Sequence, residues 1–184
     1  MKVTATKLEG VLLIEPQVWE DGRGCFFESY NQERFAAAGI GVAFVQDNHS
    51  RSGRNVLRGL HYQAPPFAQD KLVRTVAGEV YDVVVDLRHG SPTFGQWAGF
   101  ELTAGNRRML FVPKGYAHGF CVLGNSADVL YKCSALYAPQ AARGIRWNDP
   151  DLAIDWPVRD PVLSAQDRTY PHFRDLGTVF RYAP

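Results

Sequence analysis

The stretch Val56-Leu57-Arg58-Gly59-Leu60-His61-Tyr62-Gln63 decides how this chain is read. Its aliphatic and aromatic residues suit a β-strand, and it carries a cation and an imidazole only three residues apart. Successive strand side chains point to opposite faces, so a regular strand would separate Arg58 from His61. Gly59 lies between them, and a bulge there would return both to one face. Further along, Pro113-Lys114-Gly115-Tyr116-Ala117-His118-Gly119-Phe120 sets a second histidine just after a Pro-x-Gly turn. Together the two stretches suggest a β-barrel whose interior holds proton-transfer groups beside an anion site.

Working outward, short β-rich segments alternate with Gly, Pro, Asn and Asp clusters, the pattern of a sandwich or barrel. The expected strands are Val11–Glu15, Cys25–Tyr30, Ala43–Ser50, Val56–Tyr62, Lys71–Ala77 and Glu79–Leu87. They continue with Trp97–Leu102, Arg108–Val112, Gly119–Leu123, Val129–Leu136 and Gly144–Trp147. One short helix is expected at Gln32–Ala38, capped by Asn31 and closed by Gly39. A further helical turn is expected after Ser164, with Ser164 as its cap. Helices do not alternate with strands, which disfavours a parallel α/β sheet. The expected fold is mainly β with a few short helices, in one domain over residues 1–184.

Strand parity assigns faces. Ala127, Val129, Tyr131 and Cys133 share one side of their strand, which sends Tyr131 inward and Lys132 outward. Lys71 shares a side with Val73 and Thr75, so its ammonium also points inward. A buried ammonium needs an anion or a functional reason.

With 46% hydrophobic residues, 21% charged residues and a net charge of +1, the 184-residue chain has the make-up of a globular protein. That balance supplies no bulk attraction to nucleic acid or to an anionic membrane. The run Val11–Ile14 is too short for a membrane span or a secretory core, so a cytoplasmic location is expected. The three cysteines, Cys25, Cys121 and Cys133, are an odd number without C-x-x-C spacing. They suggest neither a disulfide framework nor a zinc site. Cys121 and Cys133 read as small core residues.

Three chemistries compete for the two histidine stretches. A metal cupin normally offers His-x-His, and Gln63 breaks that spacing after His61; His61 and His118 alone make a poor metal site, and no metal is expected. In an acid–base reading, His61 is the base and Asp167 its orienting carboxylate, with Tyr131 as acid and Lys71 at a developing oxyanion. Taken singly, each is equally readable as a structural residue. An anion reading rests on Arg23, Arg58 and Arg74, with Lys71 in support. Arg23, in an Asp-Gly-Arg-Gly turn, reads by itself as surface charge. His49, His89 and His172 stand in polar, turn-rich surroundings and read as solvated or structural.

Ordered blocks then carry a resemblance. They are Asp21-Gly22-Arg23-Gly24 with Phe27-Glu28, Gln46-Asp47-Asn48-His49-Ser50, Val56–Gln63, Lys71-Leu72-Val73 and Tyr81–Arg88. Gly90–Gly95, Pro113–Phe120, Tyr131-Lys132-Cys133, Trp147–Pro150 and Leu163-Ser164-x-x-Asp167 complete the series. From about Leu8 to Asp167 the chain resembles the dTDP-4-dehydrorhamnose 3,5-epimerases. The resemblance implies a cupin-type jelly roll, a homodimer that exchanges an N-terminal strand, and no metal or other cofactor. It implies a dTDP-4-keto-6-deoxy sugar as substrate, inverted at C3 and C5. It further implies His61 as base with Asp167, Tyr131 as acid, Lys71 near the C4 oxygen and Arg58 at the diphosphate. His118 would be a second site histidine, and Arg23, Glu28, Gln46 and Asn48 nucleotide or sugar contacts, some of them serving the neighbouring subunit. Gln166 departs from the lysine common in such proteins, a lost cation that would either weaken nucleotide affinity or be offset by Arg168. Relatives that invert only one carbon retain the same base and tyrosine.

Overall fold

The structure, a computed structural model, describes residues 1–183. Its strands in chain order are β1 (Lys2–Ala5), β2 (Leu12–Glu15), β3 (Val18–Asp21), β4 (Gly24–Phe27), β5 (Gln46–Gly53), β6 (Leu57–Gln63), β7 (Lys71–Ala77) and β8 (Glu79–Asp86). Then come β9 (Arg88–His89), β10 (Trp97–Thr103), β11 (Met109–Val112), β12 (Tyr116–Val122), β13 (Ser126–Cys133), β14 (Ala142–Gly144) and β15 (Phe180–Arg181). A six-stranded sheet has the order β1-β2-β11-β7-β13-β5, and a five-stranded sheet the order β10-β8-β12-β6-β14. Every pairing within these two sheets is antiparallel.

The two sheets pack face to face as a jelly-roll sandwich. Val73, Leu110 and Val129 of one meet Val84, Phe120 and Val122 of the other. The outer face of the five-stranded sheet is covered too, with Leu57, Val83 and Ile145 lying under Leu152, Trp156 and Phe180. Central strand β12 is therefore buried at every position, and its sequence shows no polar alternation. The short helix α1 (Gln32–Ala37) supplies Phe35 to a third cluster with Ile14, Leu72 and Met109. Asn31 caps α1 as expected, its Oδ1 accepting from the Arg34 N–H at 3.0 Å. Among the described residues, no helix is long and apolar enough to cross a membrane.

Several boundaries differ from expectation. The expected strand Cys25–Tyr30 is shorter and pairs with β3 in a two-stranded ribbon that stands outside both sheets. The expected strand Ala43–Ser50 starts at Gln46 and continues to Gly53. The expected Gly119–Leu123 begins earlier, at Tyr116, because the Pro-x-Gly turn ends sooner than its composition suggests. Gly144–Trp147 is displaced to Ala142–Gly144. The single turn expected after Ser164 is present: Ser164 Oγ accepts from the Asp167 N–H at 3.0 Å, and the Ser164 carbonyl accepts from the Arg168 N–H at 3.4 Å.

The register between β6 and β12 contains the bulge that Gly59 suggested. Leu57 pairs with Cys121 and Arg58 with Phe120, whereas the next pair is His61 with His118. Two residues of β6 thus oppose one of β12. Gly59 has φ +132°, and a Cβ there would stand 2.6 Å from the Gly119 Cα. Only glycine fits.

Candidate active site

The interior of the sandwich opens at one end, and its polar side chains come from both sheets. On the six-stranded side, the register aligns Gln46, Cys133 and Lys71 in one row across β5, β13 and β7. Asn48 and Tyr131 form the next row. On the five-stranded side, His61 and His118 are direct neighbours across β6 and β12. His61, Lys71 and Tyr131 border two adjoining hollows, of about 200 and about 140 Å³. Gln46, Asn48, Tyr137, Arg143 and Tyr170 line the larger. Ser50, Arg58, His118 and Phe120 line the smaller.

Each histidine is held by a carboxylate. Asp167 is only 3% exposed and places Oδ1 2.6 Å from His61 Nε2. The ring also meets Tyr170 edge-on, with centroids 5.7 Å apart. An ionised Asp167 fixes the Nε2–H tautomer and leaves Nδ1 as the basic nitrogen. His118 Nε2 lies 2.9 Å from both oxygens of the fully buried Asp82. Asp82 comes from β8, so this second dyad is built entirely from neighbouring strands of one sheet.

Across the cavity, burial shifts the two remaining groups in useful directions. It pushes the Lys71 ammonium below the ordinary lysine range, opposed by Cys133 and Asp82. It pushes the Tyr131 phenol up, helped by Cys133 and opposed by Arg58. The phenol therefore stays protonated at neutral pH, as an acid must. Arg58 donates from Nε to Ser52 Oγ at 2.9 Å and from one terminal nitrogen to the Arg51 carbonyl at 3.3 Å. The bulge puts it in the hollow with His61, which plain parity would have prevented.

Other expected site residues stand elsewhere. Arg23 is exposed on the β3–β4 ribbon and pairs with Asp21 at 2.6 Å. Glu28 pairs with Arg34 at 3.2 Å. Neither lines the cavity of its own chain. Arg74 leaves the group as well: it lies over the Phe27 ring at 5.4 Å, on the outer side of the sheet. Parity warned of this, since Arg74 alternates with Lys71 and Val73. Arg168 is exposed and absent from both hollows, whereas Gln166 and Arg143 border the larger one. Cys121 is a core residue as expected, but buried Cys133 also faces the cavity. Tyr137 and Tyr170 had no signal in the strand pattern because they sit in loops, and Arg143 had none because its strand β14 is only three residues long. Gln63 holds backbone on both sides, accepting from the Ala138 N–H at 2.7 Å and donating to the Phe67 carbonyl at 2.7 Å.

A cavity that aims an imidazole from one sheet, held by a carboxylate from a turn, at a lysine and a tyrosine from the other sheet can exchange protons on both faces of a bound ring. Comparison with known proteins identifies the family of the chain. Residues 5–175 match the family model described as dTDP-4-dehydrorhamnose 3,5-epimerase. A dTDP-4-dehydrorhamnose 3,5-epimerase of Pseudomonas aeruginosa is 57% identical over 177 residues, 95% of this chain and 97% of that protein. The crystal structure of the Legionella pneumophila dTDP-6-deoxy-D-glucose-3,5-epimerase, in complex with dTDP-4-keto-L-rhamnose, superposes with a TM-score of 0.96. It is 45% identical, and the match covers 100% of this chain and 99% of that one. A 3'-monoepimerase from Streptomyces bikiniensis, in complex with dTDP-quinovose, has a TM-score of 0.90 at 36% identity, covering 96% and 92%. On the breadth of the family match and the level of identity, the chain belongs to the dTDP-4-dehydrorhamnose 3,5-epimerase family.

Proposed function

We propose that the protein inverts C3 and C5 of dTDP-4-dehydro-6-deoxy-D-glucose, giving dTDP-4-dehydro-L-rhamnose. The observation that carries this reading is the meeting of the His61–Asp167 dyad, Lys71 and Tyr131 around one cavity. Both reacting carbons flank the C4 ketone, so removing either proton gives an enolate. His61 Nδ1 takes the proton, and Asp167 stabilises the imidazolium that forms. Lys71 holds the negative charge on the C4 oxygen, in a site where burial strengthens the interaction. Tyr131 returns a proton from the opposite face. Base and acid come from opposing sheets, so abstraction and return occur on opposite sides of the ring, which is inversion. Arg58 stabilises the resulting phenolate and meets the diphosphate. Only protons move, so enolisation requires no redox cofactor.

The working unit in this proposal is a homodimer with an exchanged N-terminal strand. Strand β1 lies at the sheet edge, and the β3–β4 ribbon exposes Trp19 and Phe26, the latter by 70%. Arg23 and Glu28 lie remote from their own chain's cavity, which supports their service in the partner's. The three free thiols accord with a reducing, cytoplasmic setting.

The test is turnover in deuterium oxide followed by NMR. Label at both C3 and C5 of the product is expected. The Streptomyces bikiniensis relative is a monoepimerase, which keeps inversion at one carbon as the second reading. Label at a single carbon would establish that reading and reject the double inversion.

A further inference from the structure

One neighbour of the His61 ring comes from outside both sheets. Strand β14 is the edge strand beside β6, and its Gly144 pairs directly with His61. Facing residues of an antiparallel pair share one side of the sheet, so a side chain at 144 would stand next to the imidazole. Gly144 leaves that position open, and the Tyr170 ring occupies it. A Cβ on Gly144 would lie 2.4, 2.5 and 2.6 Å from three carbons of that ring. From there Tyr170 meets His61 at a centroid separation of 5.7 Å and an interplanar angle of 69°.

Tyr170 and Asp167 ride on one segment, and the sheet fastens that segment at both ends. At its start the Val162 N–H donates to the Asn55 carbonyl at 2.8 Å, and the Leu57 N–H donates to the Val162 carbonyl at 3.1 Å. At its end the Arg146 N–H donates to the Pro171 carbonyl at 2.9 Å. Asp149, only 1% exposed, takes up the next two residues. Its Oδ2 accepts from the Phe173 N–H at 2.8 Å and lies 3.0 Å from His172 Nδ1. A longer bond of 3.4 Å runs from Arg146 Nε to the carbonyl of Tyr170 itself. The backbone around Tyr170 is therefore fixed before any substrate arrives.

Asp167 grips His61 at one atom, Nε2, at 2.6 Å. A ring held at one atom still rocks about that bond, and the His61 side chain is 40% exposed, so packing on its cavity side does not stop it. An edge-on aromatic neighbour supplies the second constraint, because such pairs have a preferred geometry. The plane of the ring matters to the chemistry, since it sets the direction of the Nδ1 lone pair and proton transfer is sensitive to alignment. We propose that Tyr170 is a positioning residue, which fixes the plane of the His61 ring so that Nδ1 faces the carbon to be deprotonated. The proposal rests on the reading of His61 as the base. The contact uses the phenol ring and not its hydroxyl.

Steady-state kinetics and ¹³C relaxation of the His61 ring in the ligand-free protein test this on Tyr170→Phe, Tyr170→Leu and Gly144→Ala. Tyr170→Phe should keep both the wild-type kcat and the ring order. Tyr170→Leu fills space without a planar face; it should lower kcat about three- to tenfold, as loss of one aromatic pair predicts, with KM within about twofold and a more mobile ring. Gly144→Ala drives the Tyr170 ring aside while leaving every polar group of the cavity in place, and should lower kcat in the same way. Added to Tyr170→Leu it should cost little more, because both changes act through one contact. If Tyr170→Leu does not fold, Gly144→Ala and Tyr170→Phe still decide. Wild-type kcat in Tyr170→Leu means that plain packing suffices and overturns the proposal. Equal losses in the Phe and Leu variants make the hydroxyl the active part, and a raised KM at constant kcat makes Tyr170 a substrate contact; either overturns it. Unchanged order of the His61 ring in Tyr170→Leu and Gly144→Ala overturns it as well. Wild-type protein that exchanges no proton at C3 or C5 rejects the functional reading instead, and the ring measurement, made without substrate, still stands.

Discussion

Lys71→Met separates what the half-buried lysine does for the reaction from what it does to the fold, and the two effects have opposite signs. Methionine keeps the stem and removes the charge. Burial pushes the Lys71 pKa below the ordinary lysine value, so between those two values the folded chain binds fewer protons than the unfolded one. Wild-type stability therefore rises with pH through that interval, and the penalty is fully present below the depressed folded value. The variant lacks the penalty. It should melt above wild type at neutral pH, with the difference narrowing as pH climbs toward the ordinary lysine range. Activity should move the other way. Loss of one oxyanion donor typically costs about 10² to 10³ in kcat, or about 2.7–4 kcal/mol of transition-state stabilisation. Scanning calorimetry from neutral to alkaline pH and product NMR at saturating substrate are the two assays. A variant that melts below wild type at neutral pH would show that the ammonium has a stabilising partner in the fold. A kcat within about tenfold of wild type would remove Lys71 from the C4 oxygen.

Asp167→Asn keeps the volume but offers His61 an amide; if the NH₂ faces Nε2, the imidazole proton moves to Nδ1 and the base is blocked. A kcat loss of about 10²- to 10⁴-fold with little change in thymidine diphosphate affinity is expected, by analogy with the wrong-tautomer effect in triads; a loss of affinity instead would make Asp167 a ligand contact. Tyr131→Phe should leave proton wash-out at C5 faster than net inversion, with inversion reduced about 10²- to 10⁴-fold, and unchanged turnover would remove Tyr131 as the acid. Gly59→Ala forces a Cβ to within 2.6 Å of the Gly119 Cα at a φ of +132°, so denaturant titration should show destabilisation of roughly 1–3 kcal/mol or more; wild-type stability and activity together would mean that the bulge is not needed to hold Arg58 beside His61.

The parts of the site that lie on strands were legible because strand parity is a hard geometric rule. Lys71 and Tyr131 point inward for the same reason as Val73 and Val129, and no tertiary information was needed to say so. Arg58 shows where that rule stops. Parity alone puts it opposite His61, and only a glycine able to take positive φ, facing a second glycine across the ladder, inserts the residue that cancels the alternation. That departure was readable as a possibility, since Gly59 is the one residue of the stretch without a side chain. The loops offered no comparable rule. Gln46, Gln63 and Gln69 carry no periodic signal, and each looks like an ordinary polar residue near a strand end. Their meaning comes from partners far along the chain, 91, 75 and 66 positions away for the contacts to Tyr137, Ala138 and Ala135. Position 63 makes the point most directly. Read against a metal-binding spacing, Gln63 is a missing ligand; in the fold it is an amide whose oxygen and nitrogen hold three backbone groups. A histidine there could not supply one acceptor and two donors in that geometry. The residue that breaks the His-x-His spacing is therefore the one that fastens the rim of the cavity, and Gln63→His should speed amide hydrogen exchange at Ala138 whether or not a metal is supplied.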